Sequence, residues 1–524
     1  MKEKWTGKRL FYLMLLIIVF SLCLTAIIVT GLIDDADGKE AKYWFFEESI
    51  QTGKDVELKN VYIINNDNGK IHFLCDNITY TVDGRLEEAY VGVADIVIHG
   101  DKISKIRIKP NTTNGTLYSY DEETVQVMSE EVVSLSKNVG LPVYKVSEVG
   151  VQQSNWNDMI IGTSSVRCIM ERGQVCSIII EESLPSEIRV IIKNGNSIHY
   201  PNLYIMKKSD GTFIDVEKEM IEQDINEIVY SDSEGMYLCN QAGHKNGEYY
   251  EGEFRVIKEA DGMVLINTLP IETYVKYVLP SEMPKSFHEE ALKAQAVCAR
   301  TFAYAHMKNQ SYARYGANLD DSTAFQVYHA AGRFAETDAA VDATSGEIIM
   351  CNGQLITCYY FSTSAGKTNN MSVWGSKTPE YIGICESQDT NSPFYKWKAY
   401  IDKSDIQELR IVSKNESNYV TGLEIKYKDK TEVLKNENDI RKALGKYLQE
   451  TVLNDGKIRT DLSMIPSAAF QVLETKDNQI ILEGGGFGHG IGMSQYGANK
   501  MAEEGIGYKD IIEHYFNSIV VKSV

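Results

Sequence analysis

Residues Leu10 to Ile33 are almost wholly apolar and contain no charged side chain. A run of that length crosses the roughly 30 Å hydrocarbon core of a bilayer as a single helix. Lys2, Lys4, Lys8 and Arg9 precede it, and Asp34, Asp35 and Asp37 follow it. Positive residues stay on the cytoplasmic side, so this charge order predicts a cytoplasmic N-terminus and an exported remainder. The competing reading is a cleaved signal peptide. Its apolar core is shorter, about 7–15 residues, and ends in a small-x-small site. Thr30-Gly31-Leu32 is a poor match to such a site. The expected plan is a cytoplasmic tail over 1–9, a transmembrane helix over 10–33 and a bulk outside the cell membrane.

The composition narrows the partners of that bulk. Acidic residues outnumber basic ones, 73 to 53, for a net charge of -20. Nucleic acid needs clustered Lys and Arg, so it is excluded. Anionic lipid is disfavoured as a partner of the exported part for the same reason. Hydrophobic residues make up 43% of the 524, enough for sizeable cores, and the length suggests about three domains. Nine cysteines are far too few for a disulfide scaffold. Cys168 and Cys176 flank Glu171-Arg172-Gly173. A three-residue hairpin loop there would place the two cysteines opposite each other and allow a disulfide. Two buried thiols are the alternative.

The predicted fold class is α+β. Residues 34–60 read as a charged stalk. Over 61–186 short strands alternate with turn signals such as Asp67-Asn68-Gly69, Asp83-Gly84 and Gly100-Asp101, and Pro110 to Gly115 reads as a loop or linker. That stretch is expected to be a β-rich module without a catalytic constellation. Residues 187–524 read as a mixed α/β domain. Strands are expected at 188–193, 250–257, 263–267 and 479–482. Phe287, Ala291, Leu292, Ala296, Ala299, Phe302 and Ala303 follow helical spacing, behind a capping box of Ser286 and Glu289. Asn352-Gly353 predicts a hairpin pairing Cys351 with Gln354, which rules out a Cys351–Cys358 bridge. Further helices are expected over 438–448, 494–504 and 508–516, with Gly505 capping between the last two.

Few residues carry recognisable chemistry. Glu282 lies between Pro280 and Pro284, in a turn with apolar Val278, Leu279 and Met283 around it. An apolar setting disfavours the charged carboxylate, which is what a general acid needs. Gln295, Arg300 and Thr301 interrupt the small-residue face of the following helix. They fit either a partly exposed edge or a polar network around Glu282. Gly366-Lys367-Thr368 resembles the end of a phosphate loop, but Phe361 stands where its first glycine must be. Ser362 and Ser364 lack the His/Asp pattern of a nucleophile. From Gly484 to Gly497, glycines crowd around His489, Ser494 and Gln495, implying positive φ or close backbone approach. The histidines are scattered, with no His-x-x-x-His or Cys-x-x-Cys spacing, so metal binding is not expected.

Taken in order, the blocks become specific. They are Pro280-Ser281-Glu282-Met283-Pro284, Ala294-Gln295 with Ala299-Arg300-Thr301, Gln326-Val327-Tyr328, Phe361-Ser362-Thr363-Ser364, and Gly488-His489-Gly490 running to Ser494-Gln495. Over roughly 187–524 the chain resembles the stage II sporulation protein D family of bacterial cell-wall enzymes. The resemblance implies a lytic transglycosylase acting on peptidoglycan glycan strands, in sporulation or wall remodelling, with Glu282 catalytic. It also implies a cleft lined by Gln295, Arg300, Gln326, Ser362, Ser364, His489, Ser494 and Gln495. Tyr359, Tyr360 and Trp374 are candidates for stacking on sugar rings, with core packing the stronger expectation for the two tyrosines. Some members carry His and Cys zinc ligands just before Gln-Val-Tyr. Here those positions are Ala324 and Phe325, so no zinc and no other cofactor is expected. Relatives described as amidase enhancers imply a second possibility, a glycan-binding module that assists a wall amidase or other membrane-anchored wall proteins.

Overall fold

The computed structural model describes residue 49 and residues 52–524, apart from 87, 148–149, 156–158, 164, 182–183, 248, 329–331 and 477. The expected tail and transmembrane helix lie outside the described residues. Among the described residues no helix is long and apolar enough to cross a membrane. The chain divides into two compact units, the first ending at Ile108 and the second beginning at Lys109.

The first unit is a closed five-stranded barrel: β1 (Val56–Asp67), β2 (Lys70–Cys75), β3 (Ile78–Asp83), β4 (Gly92–His99) and β5 (Lys102–Ile108), in the order β1-β2-β3-β5-β4. The first strand opens inside the stretch read from sequence as stalk. Alternation builds the barrel: Ile71, Phe73, Tyr80, Val82, Ile96 and Ile98 point inward and are buried. Asn68-Gly69 forms the β1–β2 turn, both residues at positive φ, with Asp67 opposite Lys70. Asp83-Gly84 is not a hairpin turn. The β2–β3 hairpin instead turns at Asp76-Asn77, both at positive φ, with Cys75 opposite Ile78. Asn and Asp tolerate that conformation without glycine, which is why the dipeptide escaped a glycine-based reading.

The second unit opens with a seven-stranded sheet spanning Thr112 to Glu181. Its first strand, Thr112–Tyr120, occupies most of the expected linker. The hairpin at Cys168 turns through two residues, Arg172 and Gly173, so Glu171 faces Gln174. A bulge follows, and Cys168 faces Ile178 rather than Cys176. The directly opposed pair that a disulfide would need is therefore absent, and no disulfide joins the two buried cysteines. One fewer loop residue than expected and the bulge each moved the register by one.

Beyond it, a six-stranded sheet is centred on Glu187–Ile192 and Gly262–Pro270. Seven α-helices are found among the described residues: α1 (Val216–Gln223), α2 (Ile271–Glu282), α3 (Glu289–His306), α4 (Ala335–Ala343), α5 (Glu437–Gly445), α6 (Gln495–Glu503) and α7 (Tyr508–Tyr515). α3 is the axis of the main core. Ala291, Ala294, Ala296, Ala299 and Ala303 are fully buried, and these small side chains let neighbouring elements come close. α3 begins three residues after the expected cap: His288, not Ser286, is its N-cap, and its Nδ1 accepts from the Glu290 N–H at 3.3 Å. A separate core lies between a five-stranded sheet carrying Trp397–Asp402 and Gln479–Gly484 and the three-stranded sheet Ile406–Lys414, Val420–Tyr427 and Thr431–Leu434, with α5 against it. The Asn352-Gly353 hairpin forms as expected, with Cys351 opposite Gln354.

Candidate active site

Glu282 is not in a turn. It is the last residue of α2, whose Ile271, Tyr274, Val275, Val278 and Leu279 make an apolar stripe at helical spacing. Pro280 sits in the final turn, and Pro284 prevents continuation. The side chain therefore projects at the carbonyl end of a helix dipole, which disfavours a negative charge. Its Oε1 accepts one hydrogen bond, from the Val327 N–H at 3.0 Å. Burial pushes its pKa from 4.5 up to about 6, and the Val327 bond opposes the rise. Among the described residues, burial and the Val327 bond are the causes of the shift.

Beside Glu282 runs a buried relay. Gln326 donates from Nε2 to the Tyr360 hydroxyl at 2.9 Å and to the Ala299 carbonyl at 3.2 Å, and its Oε1 accepts from the Tyr274 hydroxyl at 3.3 Å. Both tyrosines are held well above the ordinary phenol pKa, first by burial and second by the Glu282 charge. They remain protonated donors near the carboxyl. The Tyr274 position was not legible as functional, because in sequence it is one more apolar-face residue of a helix. Tyr360 is packed in the core, as the alternative to sugar stacking had it, with its hydroxyl in this relay.

The remaining expected residues fall into separate groups. Arg300 is fully buried and forms a two-pronged pair with Glu272, at 2.8 and 2.6 Å, and donates to the Glu347 carbonyl at 3.1 Å. Its guanidinium ties α3 to α2 and to strand Glu347–Cys351, so it braces the core and does not line a cleft. Gln295 is fully buried, its Oε1 accepting from Gln495 at 3.5 Å, while its Nε2 has no partner among the described residues. His489 packs against the rings of Trp374 (5.1 Å), Phe361 (5.7 Å) and Tyr359 (6.3 Å). Its Nδ1 accepts from the Ile491 N–H at 3.0 Å, and burial, then the Arg441 charge, push its pKa down to about 3. It is thus a neutral ring in an aromatic nest. The glycines around it serve close approach: a Cβ on Gly492, at φ 78°, would lie 2.0 Å from the Tyr359 carbonyl oxygen. That contact lets Tyr360-Phe361 pair in parallel with Met493-Ser494.

Ser364 and Ser494 meet at a residue that sequence reading missed. Asp389 is fully buried, accepts from the Ser364 N–H at 2.7 Å and from Ser387 Oγ at 2.5 Å, and accepts from the Ser494 hydroxyl. The Gly497 N–H, in the first turn of α6, also donates to it. Burial raises the Asp389 pKa against these bonds. Ser494 is also the N-cap of α6. Ser362 is half-buried, its hydroxyl 3.1 Å from that of Thr363, and its carbonyl accepts from the Tyr496 N–H at 3.1 Å. No pattern in the stretch around Asp389 announces a buried acid. Phe325 packs near the rings of His306 (6.0 Å) and Tyr312 (6.4 Å). Among the described residues no group of three or more His, Cys, Asp or Glu could hold a metal ion.

Comparison with known proteins locates this arrangement. Residues 259–351, which carry Glu282, Gln295, Arg300 and Gln326, match the family described as Stage II sporulation protein. The chain is 33% identical over 274 residues to stage II sporulation protein D of Bacillus subtilis, covering 48% of this chain and 74% of that protein. It is 33% identical over 306 residues to an uncharacterised protein of Brachyspira hyodysenteriae, covering 56% and 78%. It is 30% identical over 294 residues to the amidase enhancer of Bacillus subtilis, covering 48% and 40%. The chain belongs to the stage II sporulation protein D family.

Proposed function

We propose that the chain is a peptidoglycan lytic transglycosylase, anchored in the cell membrane by residues 10–33 with its bulk outside. The observation that carries this reading is Glu282: a buried carboxyl with a pKa of about 6, at a helix carbonyl end, beside protonated Tyr274 and Tyr360. Glycosidases generally flank the bond with two carboxylates. One suffices here, because the nucleophile is supplied by the substrate. Protonated Glu282 gives its proton to the glycosidic oxygen as the bond to the muramic acid anomeric carbon breaks. The resulting carboxylate then takes the proton of the muramic acid 6-hydroxyl, whose oxygen closes on that carbon. The product is a 1,6-anhydro end, and Glu282 is again protonated. The intramolecular attack replaces a positioned water. Tyr360 and Gln326 support charge near the carboxyl, and His489 with Trp374 offers a neutral aromatic surface for a sugar.

The test is mass spectrometry of peptide-free peptidoglycan strands incubated with the protein or with Glu282→Gln. Anhydro ends from the unsubstituted protein alone are expected, with a loss of at least about a hundredfold in the variant. Reducing ends in place of anhydro ends would replace this chemistry with hydrolysis. The similarity to an amidase enhancer favours a second reading, a glycan-binding partner of a wall amidase. Strand binding without any cleavage, together with stimulation of an amidase, would put that reading first.

A further inference from the structure

A groove of about 940 Å³ opens in the second unit away from Glu282, with neither Glu282, Gln326 nor Tyr360 in its lining. Its walls include Ala365 and Gly366, directly following Ser364, and Gly484 and Gly485, on the approach to His489. The glycines keep its floor open to close packing. A Cβ on Gly484 would lie 2.3 Å from the Trp397 ring, and one on Gly485 2.6 Å from the Tyr395 carbonyl oxygen. The groove is as large as the biggest small-ligand clefts, which reach roughly 1,000 Å³, so it suits an oligomer better than a single ion.

Its charge is opposite to that of the molecule. In a chain of net charge -20, four lysines line it: Lys367, Lys396, Lys398 and Lys414. Two acids, Glu386 and Glu483, line it with them. Glu386 is taken by Lys367 at 2.9 Å, and Glu483 accepts from Gln471 at 3.2 Å. Lys396, Lys398 and Lys414 form no ion pair within 4.0 Å among the described residues. Glu483 stands directly across the strands from Lys398, so the lining sets four ammonium groups against two carboxylates, a local positive excess whose field a groove focuses. Tyr395 adds a half-buried aromatic ring at the edge.

We propose that this groove is a second binding site, separate from the Glu282 pocket, for a sugar polymer bearing repeated carboxylates. It rests on the peptidoglycan reading above for the identity of that polymer. The carboxylates come either from the lactyl groups of the strand or from its stem peptides. By holding the strand outside the pocket, the groove raises its local concentration at Glu282 without touching the reacting bond.

The experiment uses the full chain in detergent micelles carrying Glu282→Gln, so that binding is read without turnover. Peptide-free strands, strands bearing stem peptides, uncharged chitin oligosaccharides and wall teichoic acid are titrated against it. The same titrations follow with Lys396→Glu, Lys398→Glu and Lys414→Glu combined. The expected result is weaker strand binding by on the order of tenfold or more, a flatter salt dependence and unchanged chitin binding. A second variant with Gln at the three positions is expected to lie in between, and matching Tm values exclude misfolding. Equal affinity for both kinds of strand assigns the lactyl carboxylates, and tighter binding of peptide-bearing strands assigns the stem peptides. Unchanged strand binding in the charge-reversed variant overturns the proposal, as does a groove that takes teichoic acid and releases it to no strand. Absence of anhydro products from the unsubstituted protein would sink the Glu282 chemistry and leave this binding result standing.

Discussion

Two acids in the second unit are withdrawn from water without a cation, and they are built for opposite purposes. Asp389 is fully buried and accepts from the Ser387 and Ser494 hydroxyls and the Ser364 and Gly497 N–H groups. Glu282 accepts a single bond, from Val327. Burial raises both pKa values. A ring of donors makes Asp389 a clamp joining the 362–366 loop to the start of α6, and any proton change there disturbs four partners. Glu282 gains and loses a proton with little else to rearrange. The number of donors, more than burial, separates a structural acid from a proton carrier.

Three measurements can break or sharpen that contrast. The largest expected effect is on stability. Asp389→Ala leaves the buried Ser364 N–H without its acceptor and takes one bond from each of three other donors, and should lose about 3 kcal/mol, read by denaturant melts. A loss below about 1 kcal/mol would deny the clamp. Second is the pH profile of kcat/KM. Catalysis needs protonated Glu282, so activity should be flat below its pKa of about 6 and fall about tenfold per pH unit above it. The linkage has the same sign. A carboxyl whose pKa is raised from 4.5 to about 6 stabilises the fold relatively at low pH, and that contribution is lost as pH rises through this window. Glu282→Gln should remove its share of the stability slope and the pH dependence of activity, leaving the same-signed contribution of Asp321, which burial also raises to about 6. His489, pushed down to about 3, should add no inflection near neutrality. The smallest effect is that of Ser387→Ala, which removes one of four donors and should lower stability by about 1 kcal/mol while leaving the pH profile in place.

Legibility varied with how local the cause was. The hairpins at Asn68-Gly69 and Asn352-Gly353 and the C-terminal helices were readable because turn residues and caps act within a few positions. α2 was missed because two prolines around Glu282 suggested a turn. Pro280 costs the helix its bond to the Lys276 carbonyl, but the apolar stripe from Ile271 to Leu279 prevailed and the helix runs on to Glu282. Arg300 was grouped with the cleft because sequence order cannot distinguish a residue that faces substrate from one that braces the helix carrying its neighbours. The Cys168 pairing failed because a loop one residue shorter and a bulge beyond it each moved the register by one, and nothing local in the sequence marks either.

The order of blocks around Glu282, Gln326, Ser362 and His489 determined the family, and composition excluded nucleic acid. Period and turn chemistry located α3, α5, α6 and α7 and the hairpins at Asn68-Gly69 and Asn352-Gly353. Only the tertiary structure decided that Glu282 ends a helix, that Tyr274, Gln326 and Tyr360 form one relay beside it, and that Asp389 gathers Ser364, Ser387 and Ser494. These residues are distant in sequence. Their protonation states and roles follow from burial and from which donors converge on each carboxyl, quantities that exist only once the chain has packed.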